Sequence, residues 1–168
     1  MKQPRIHISW YIIADTFVCL LTWACFYYLR TKIYSYDFNI PPGFYLGLVL
    51  YTIGWLLLHF LTGTYTSLYE KSRLGELIKT FSVSLVGCLV LLFFFILKNP
   101  QENNKYYYLE FFSLLIPVFV CTYIVRLLIL NIAKKQVWEK KVYFNALLIG
   151  SADKASQFYT AFESAKEQ

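Results

Sequence analysis

Leu89-Val90-Leu91-Leu92-Phe93-Phe94-Phe95-Ile96-Leu97 decides the architecture of this chain. Strands of a membrane barrel alternate apolar and polar residues over about 10 positions, and this stretch does not alternate. It closes an apolar run that begins at Leu77. Three more runs accompany it, Ile8 to Leu29, Phe44 to Leu61 and Phe111 to Ile132. Each is on the order of 18 to 22 residues, which at about 1.5 Å per residue matches a hydrocarbon core about 30 Å thick. The pattern predicts four transmembrane helices.

Composition agrees. The chain of 168 residues is 58% hydrophobic, 20% aromatic and only 15% charged, against about 45 to 50% apolar and about 25% charged in ordinary soluble domains. The first run follows Lys2 and Arg5 as a signal peptide would, but its length, its internal Asp15 and the lack of a small-x-small cleavage site predict a retained span.

Flanking charge sets the expected orientation. Lys2 and Arg5, then Lys71, Arg73 and Lys79, then Lys134, Lys135, Lys140 and Lys141 lie on one side; Arg30, Lys32, Lys98 and Lys105 lie on the other. Positive charge concentrates on the cytoplasmic face, so both termini are expected there. The net charge of +6 follows from that topology. Juxtamembrane Lys and Arg are drawn to anionic inner-leaflet lipids by about 1 kcal/mol each, which makes the bilayer, and not nucleic acid, the expected partner. The Pro41-Pro42-Gly43 and Lys98 to Lys105 segments become short outward loops. Tyr106, Tyr107 and Tyr108 at one edge and Trp10 and Tyr11 at the other read as an interfacial aromatic belt.

Cys19, Cys25, Cys88 and Cys121 all fall within spans, without metal or redox spacing, and read as small packing residues. His7 and His59 read as polar side chains at span ends, and no metal site is expected. Pro117 is expected to kink the fourth span.

Asp15 and Arg126 are the charges well inside the runs. Asp15 lies roughly 10 Å and Arg126 roughly 9 Å from the same membrane edge by helix rise, and a lone charge at the bilayer centre costs at least about 2.5 to 3.5 kcal/mol. Three explanations stand. A structural pair would lock the first helix against the fourth. A proton-relay or cation site at Asp15 would call for further ionisable groups and broken helices. In the third, Arg126 snorkels to the headgroups while Asp15 caps a turn.

The loop 62–80 is the most informative connection. In Gly63-Thr64-Tyr65-Thr66-Ser67-Leu68-Tyr69-Glu70-Lys71-Ser72-Arg73-Leu74-Gly75-Glu76-Leu77, Ser72 can cap a helix whose apolar positions Leu74, Leu77, Ile78 and Phe81 fall at helical spacing, entering the membrane obliquely.

Gly63-x-Tyr65, then Ser72-Arg73-Leu74-x-Glu76-Leu77 between the second and third spans, with an aspartate in the first, resembles the N-terminal region of bacterial polyprenyl-phosphate sugar phosphotransferases. These membrane enzymes initiate exopolysaccharide and lipopolysaccharide biosynthesis, and the resemblance covers nearly the whole chain. It implies a non-catalytic anchoring region, with dimer contacts or regulation as further roles. It also implies that the transfer of a sugar 1-phosphate from a nucleotide sugar to undecaprenyl phosphate, with magnesium and an Asp-Glu dyad, belongs to a separate catalytic domain. No catalytic residue is carried onto these positions, and no activity is expected of them alone.

The tail fits that likeness. Val142 to Gly150 reads as a buried strand and Asp153 to Lys166 as a helix with Ala155, Phe158, Tyr159 and Phe162 on one face, the first strand-helix unit of a truncated Rossmann-like α/β domain. Gly150, Ser151 and Ala152 would be its weak phosphate-turn candidates; alanine replaces the later glycines and Asp153 sits where a pyrophosphate would, so a structural turn is preferred. One such unit cannot bury a parallel strand on both faces, so the chain is expected to be a fragment of something longer or a truncated gene product. The expectation is therefore a mainly α membrane protein, with residues 1–141 a four-helix transmembrane domain and 142–168 the start of a cytoplasmic one. Membrane-bound nucleotide-sugar 4,6-dehydratases are similar in layout and remain an alternative parent. A free-standing four-span scaffold or transport subunit remains an alternative of another class.

Overall fold

The computed structural model describes residues 6–35, 37, 39–66, 68–98, 103–139, 141–142 and 150–166. Among these residues lie five α-helices, α1 Ser9–Tyr34, α2 Phe44–Leu61, α3 Arg73–Lys98, α4 Asn104–Trp138 and α5 Ala152–Lys166, with a 3-10 turn at Leu68–Glu70 before α3. The first four are long and apolar enough to cross a membrane, which makes this a multi-pass membrane protein.

Helix ends depart from the apolar runs in instructive ways. At 26 residues α1 and α3 outrun their apolar segments, and α4, at 35, exceeds a bilayer core by a wide margin. Backbone hydrogen bonding does not stop where hydropathy does, so α3 absorbs the short helix expected from Ser72 onward into one continuous rod. α4 likewise runs unbroken through Pro117.

α4 is the central post. It packs along both α1 and α3, whereas α2 rests mainly on α1 and meets α3 along a narrower seam. Aromatic rings fill the middle. Trp23 stacks on Tyr51 with centroids 5.0 Å apart, Tyr51 lies 5.1 Å from Trp55, and Phe26 stacks on Phe95 at 5.5 Å. Two glycines admit these rings. A Cβ on Gly47 would stand 2.7 Å from the Trp23 indole, and one on Gly87 2.6 Å from that of Trp55. Cys19 and Cys88 are buried and all four cysteines are free thiols.

The outside is the greasier surface. Phe17, Leu50, Ile53, Val90, Phe93, Ile116 and Leu128 are exposed, while Asp15, Thr22, Glu76, Thr80, Ser84, Glu110, Thr122 and Arg126 are buried. Lipid tails are as apolar as leucine, so apolar residues gain little by turning inward, and polar ones must. The stripe Leu74, Ile78 and Phe81 accordingly faces out, and α3 buries Glu76, Thr80, Val83, Ser84 and Gly87 instead.

The strand expected over Val142 to Gly150 lies, except for its two ends, outside the described residues; no strand occurs among the described ones, so no strand-helix unit is seen. α5 matches the expected helix, with Phe158, Tyr159 and Phe162 exposed.

Candidate functional site

Asp15 from α1, Glu76 from the first turn of α3 and Arg126 from α4 converge at the end of the bundle where α1 begins and α4 ends. The guanidinium grips Asp15 at two points: Nε donates to Oδ1 at 3.0 Å and Nη2 donates to Oδ2. Its third nitrogen, Nη1, donates to Glu76 Oε1 at 3.3 Å. Lys71 completes the set, with Nζ 3.3 Å from Glu76 Oε2 and donating to the Thr64 carbonyl as well. Two carboxylates thus face one guanidinium and one ammonium, and the network is neutral.

Tyrosines close it. Tyr65 donates its hydroxyl to Asp15 Oδ2 at 2.9 Å. Tyr11, one helical turn before Asp15, donates to the Arg126 carbonyl at 3.3 Å, and the Lys71 ammonium sits 4.6 Å from its ring centroid, a cation–π contact. Arg126 is fully buried, with Asp15 and Glu76 at 1% and 3% exposure. Burial pulls the Lys71 ammonium below its ordinary range, with Glu76 opposing that pull. The Tyr65 phenol is held well above its own range by burial and by the Asp15 charge.

Local sequence explains why the loop reaches this point. Gly63 adopts φ of +63°, the left-handed conformation that ends a helix at low cost only for glycine. The Thr64 amide bonds the His59 carbonyl at 2.9 Å and the Gly63 amide that of Phe60 at 3.0 Å, the paired bonds of a Schellman cap. The chain thereby turns back over α1 and delivers Tyr65 to Asp15. The Ser72 hydroxyl accepts from the Gly75 amide at 2.9 Å and fixes the start of α3, which sets the position of Glu76 one turn on. Between them Tyr69 accepts from the Ile6 amide and donates to Gln136, tying the loop to the start of α1 and the end of α4. Of the loop-motif residues, Gly63, Tyr65, Ser72 and Glu76 therefore build or join the network. Arg73 is exposed at the first position of α3.

Several expectations need correction. Arg126 does not snorkel; it is enclosed and paired. Tyr11 is not a belt residue but is buried against the ions, in contrast to exposed Trp10. His59 lies inside the bundle, not at its rim, with no exposure. Asp15 and Arg126 are not the only enclosed charges. Glu76 joins them, and Glu110 pairs with Arg30 at 2.8 Å at the opposite end of the same helix pair. These were hidden because both glutamates stand one residue outside an apolar run yet inside a helix.

The tail contributes nothing comparable. Gly150, Ser151 and Ala152 are exposed, and a Cβ on Gly150 would meet only Ala155 Cβ at 3.9 Å, so no close approach requires glycine there. Among the described residues no cluster of His, Cys, Asp or Glu could hold a metal ion.

Comparison with known proteins is silent: no family model matches the chain, and neither the curated proteins nor the solved structures contain a match.

Proposed function

We propose that these residues form a non-catalytic membrane platform, of the kind that anchors polyprenyl-phosphate sugar phosphotransferases in the bacterial inner membrane, with both termini in the cytoplasm. One observation carries the anchoring role. Every carboxylate oxygen of Asp15 and Glu76 already accepts a charge-assisted bond, the two from Arg126 to Asp15 being bidentate. A proton carrier needs a carboxylate that can lose its partners, whereas here each acid oxygen is already engaged by a cation and the network closes three helices on one another. The likeness in the Gly63 to Leu77 segment supports the family, and the loop that carries it supplies the residues that seal the bundle. By the same likeness, sugar 1-phosphate transfer to undecaprenyl phosphate, with magnesium, is the task of a domain that follows.

The test uses membranes from cells expressing the chain alone or with its downstream reading frame, supplied with a labelled nucleotide sugar, undecaprenyl phosphate and magnesium. Labelled lipid is expected only with the longer product. Asp15→Asn is expected to lower the amount of folded protein in the membrane while leaving activity per molecule unchanged. Transfer by residues 1–168 alone would overturn the platform reading. A soluble 4-keto-6-deoxy nucleotide sugar would assign the parent to the dehydratases, and a stop codon shortly after Gln168 would leave a free-standing scaffold.

A further inference from the structure

The seam between α2 and α3 holds a set of polar groups that the ion network does not use. His59 Nδ1 and Nε2, Thr80 Oγ1, Ser84 Oγ and Trp55 Nε1 are all buried without a protein hydrogen-bond partner. His59, Thr80 and Ser84 have no exposure at all. Their positions are linked by the close contact of Gly87 with Trp55 and Leu58, which fixes the register of these two consecutive, antiparallel helices. From that contact, four residues along α2 reach His59, about 6 Å toward its C-terminus; three and seven residues back along α3 reach Ser84 and Thr80, about 4.5 and 10.5 Å toward its N-terminus. His59, Ser84 and Thr80 therefore all lie on one side of that contact, along the seam between the two antiparallel helices.

The hydroxyls behave unlike others in the bundle. Thr16, Thr22, Thr31 and Thr52 each donate to a carbonyl one turn back, at 2.7 to 2.8 Å, the usual way a helix satisfies a hydroxyl in an apolar setting. Thr80 and Ser84 do not. Buried polar groups without partners cost free energy, and several in one seam point to a guest that bonds them. Charge selects the guest. The adjoining network of Asp15, Glu76, Arg126 and Lys71 sums to zero, so nothing favours an anion or a cation. Spacing is compatible with a small guest, because Cβ atoms one turn apart on a helix are about 5 to 6 Å apart, close enough for one oxygen to bond both side-chain hydroxyls at about 2.8 Å.

We infer that the α2–α3 seam is a binding site for ordered water, bridging Thr80, Ser84 and His59. Such a site hydrates the seam beside the Gly63 cap that delivers Tyr65 to the ions.

Radiolytic hydroxyl labelling of the full chain in lipid nanodiscs, with transfer into H2 18O before the pulse, reads bound internal water directly. The Trp55 and His59 side chains are expected, once each rate is divided by that side chain's intrinsic reactivity, to be oxidised at least several-fold faster than buried Phe26 and Leu130, with 18O incorporated more slowly than at surface sites. The second arm replaces Thr80 by the isosteric Val. If water bridges the seam, T80V lowers the thermal midpoint and reduces labelling of the His59 peptide; if the seam is dry, removing an unpaired hydroxyl raises the midpoint. Labelling no faster than at the buried controls, or a raised midpoint, overturns the proposal. The labelling arm needs only the natural protein, so a poorly folding variant does not shield it.

Discussion

At the scale of single residues, Arg126 governs the molecule, because it answers two carboxylates and they do not answer each other. Removing one member of a buried pair leaves an uncompensated charge, at a cost of about 3 to 5 kcal/mol. The geometry makes that cost unequal. Asp15→Asn leaves Arg126 with Glu76, whereas Arg126→Gln leaves Glu76 to Lys71 and Asp15 to the Tyr65 hydroxyl. Thermal unfolding in detergent is therefore expected to rank Arg126→Gln as the more damaging change, with the double variant less harmful than the sum of the two. Additive losses would show that the pair is not coupled. Tyr65→Phe deletes one hydrogen bond to a charged acceptor, worth about 1.5 to 3 kcal/mol, and is expected to destabilise by that amount in the same assay while leaving the helices in place. Asp15 and Arg126 were legible in the sequence because hydrocarbon does not tolerate a lone charge. Tyr65, Lys71 and Glu76 were not legible as their partners, since nothing in a loop's composition says which helix it folds over.

At the scale of elements, helix contacts in this bundle are set by small residues and large rings. Gly47 and Gly87 lie where a methyl group would run into Trp23 and Trp55, while a Cβ on Gly54 would meet nothing within 4 Å. Gly87→Ala is expected to cost about 1 to 3 kcal/mol by overpacking, and Gly54→Ala to be neutral or to stabilise by up to about 1 kcal/mol, as alanine is the better helix former. Thermal midpoints of the two variants, measured side by side, check this; equal effects would mean that α2 shifts freely on its neighbours. The existence of α1 to α4 followed from unbroken apolar runs. Their ends did not, because Glu76 and Glu110 fall outside the hydropathic window but inside the hydrogen-bonded helix. Nor did the inward face of α3, where a stripe of leucine and phenylalanine at helical spacing turned to lipid, the reverse of its sense in water.

At the scale of the whole molecule, α1 and α4 form an antiparallel pair clamped at both ends. Asp15 and Arg30 are about 22 Å apart along α1, and Glu110 and Arg126 about 24 Å apart along α4 by helix rise. Antiparallel packing brings acid to base at each end, whereas a parallel arrangement would set acid level with acid and base with base. Exchanging the second pair, Arg30→Glu with Glu110→Arg, is expected to restore much of the stability lost by either change alone, read as protein extracted folded from membranes; failure of the exchange to recover either single loss would remove this clamp from the account. The clamp also requires the start of α1 and the end of α4 to lie on one side of the membrane. Single cysteines placed at Ile6 and Trp138 in a background free of native cysteine are expected to show the same accessibility to impermeant maleimide in intact cells. Opposite accessibility would exclude the bundle.

The sequence by itself determined that four segments are helices in lipid, since residue hydropathy and the obligation of every backbone amide to find a partner away from water are properties of the segment alone. It also marked two charges as requiring explanation. Only the tertiary structure decided which charges answer them, which face of each helix turns inward, and that a loop between α2 and α3 seals the ions of α1 and α4. Those choices depend on contacts between residues some 50 to 110 positions apart. In a solvent as apolar as the side chains, hydrophobic pattern does not name the inside, and the inside is chosen by the pairing of polar groups.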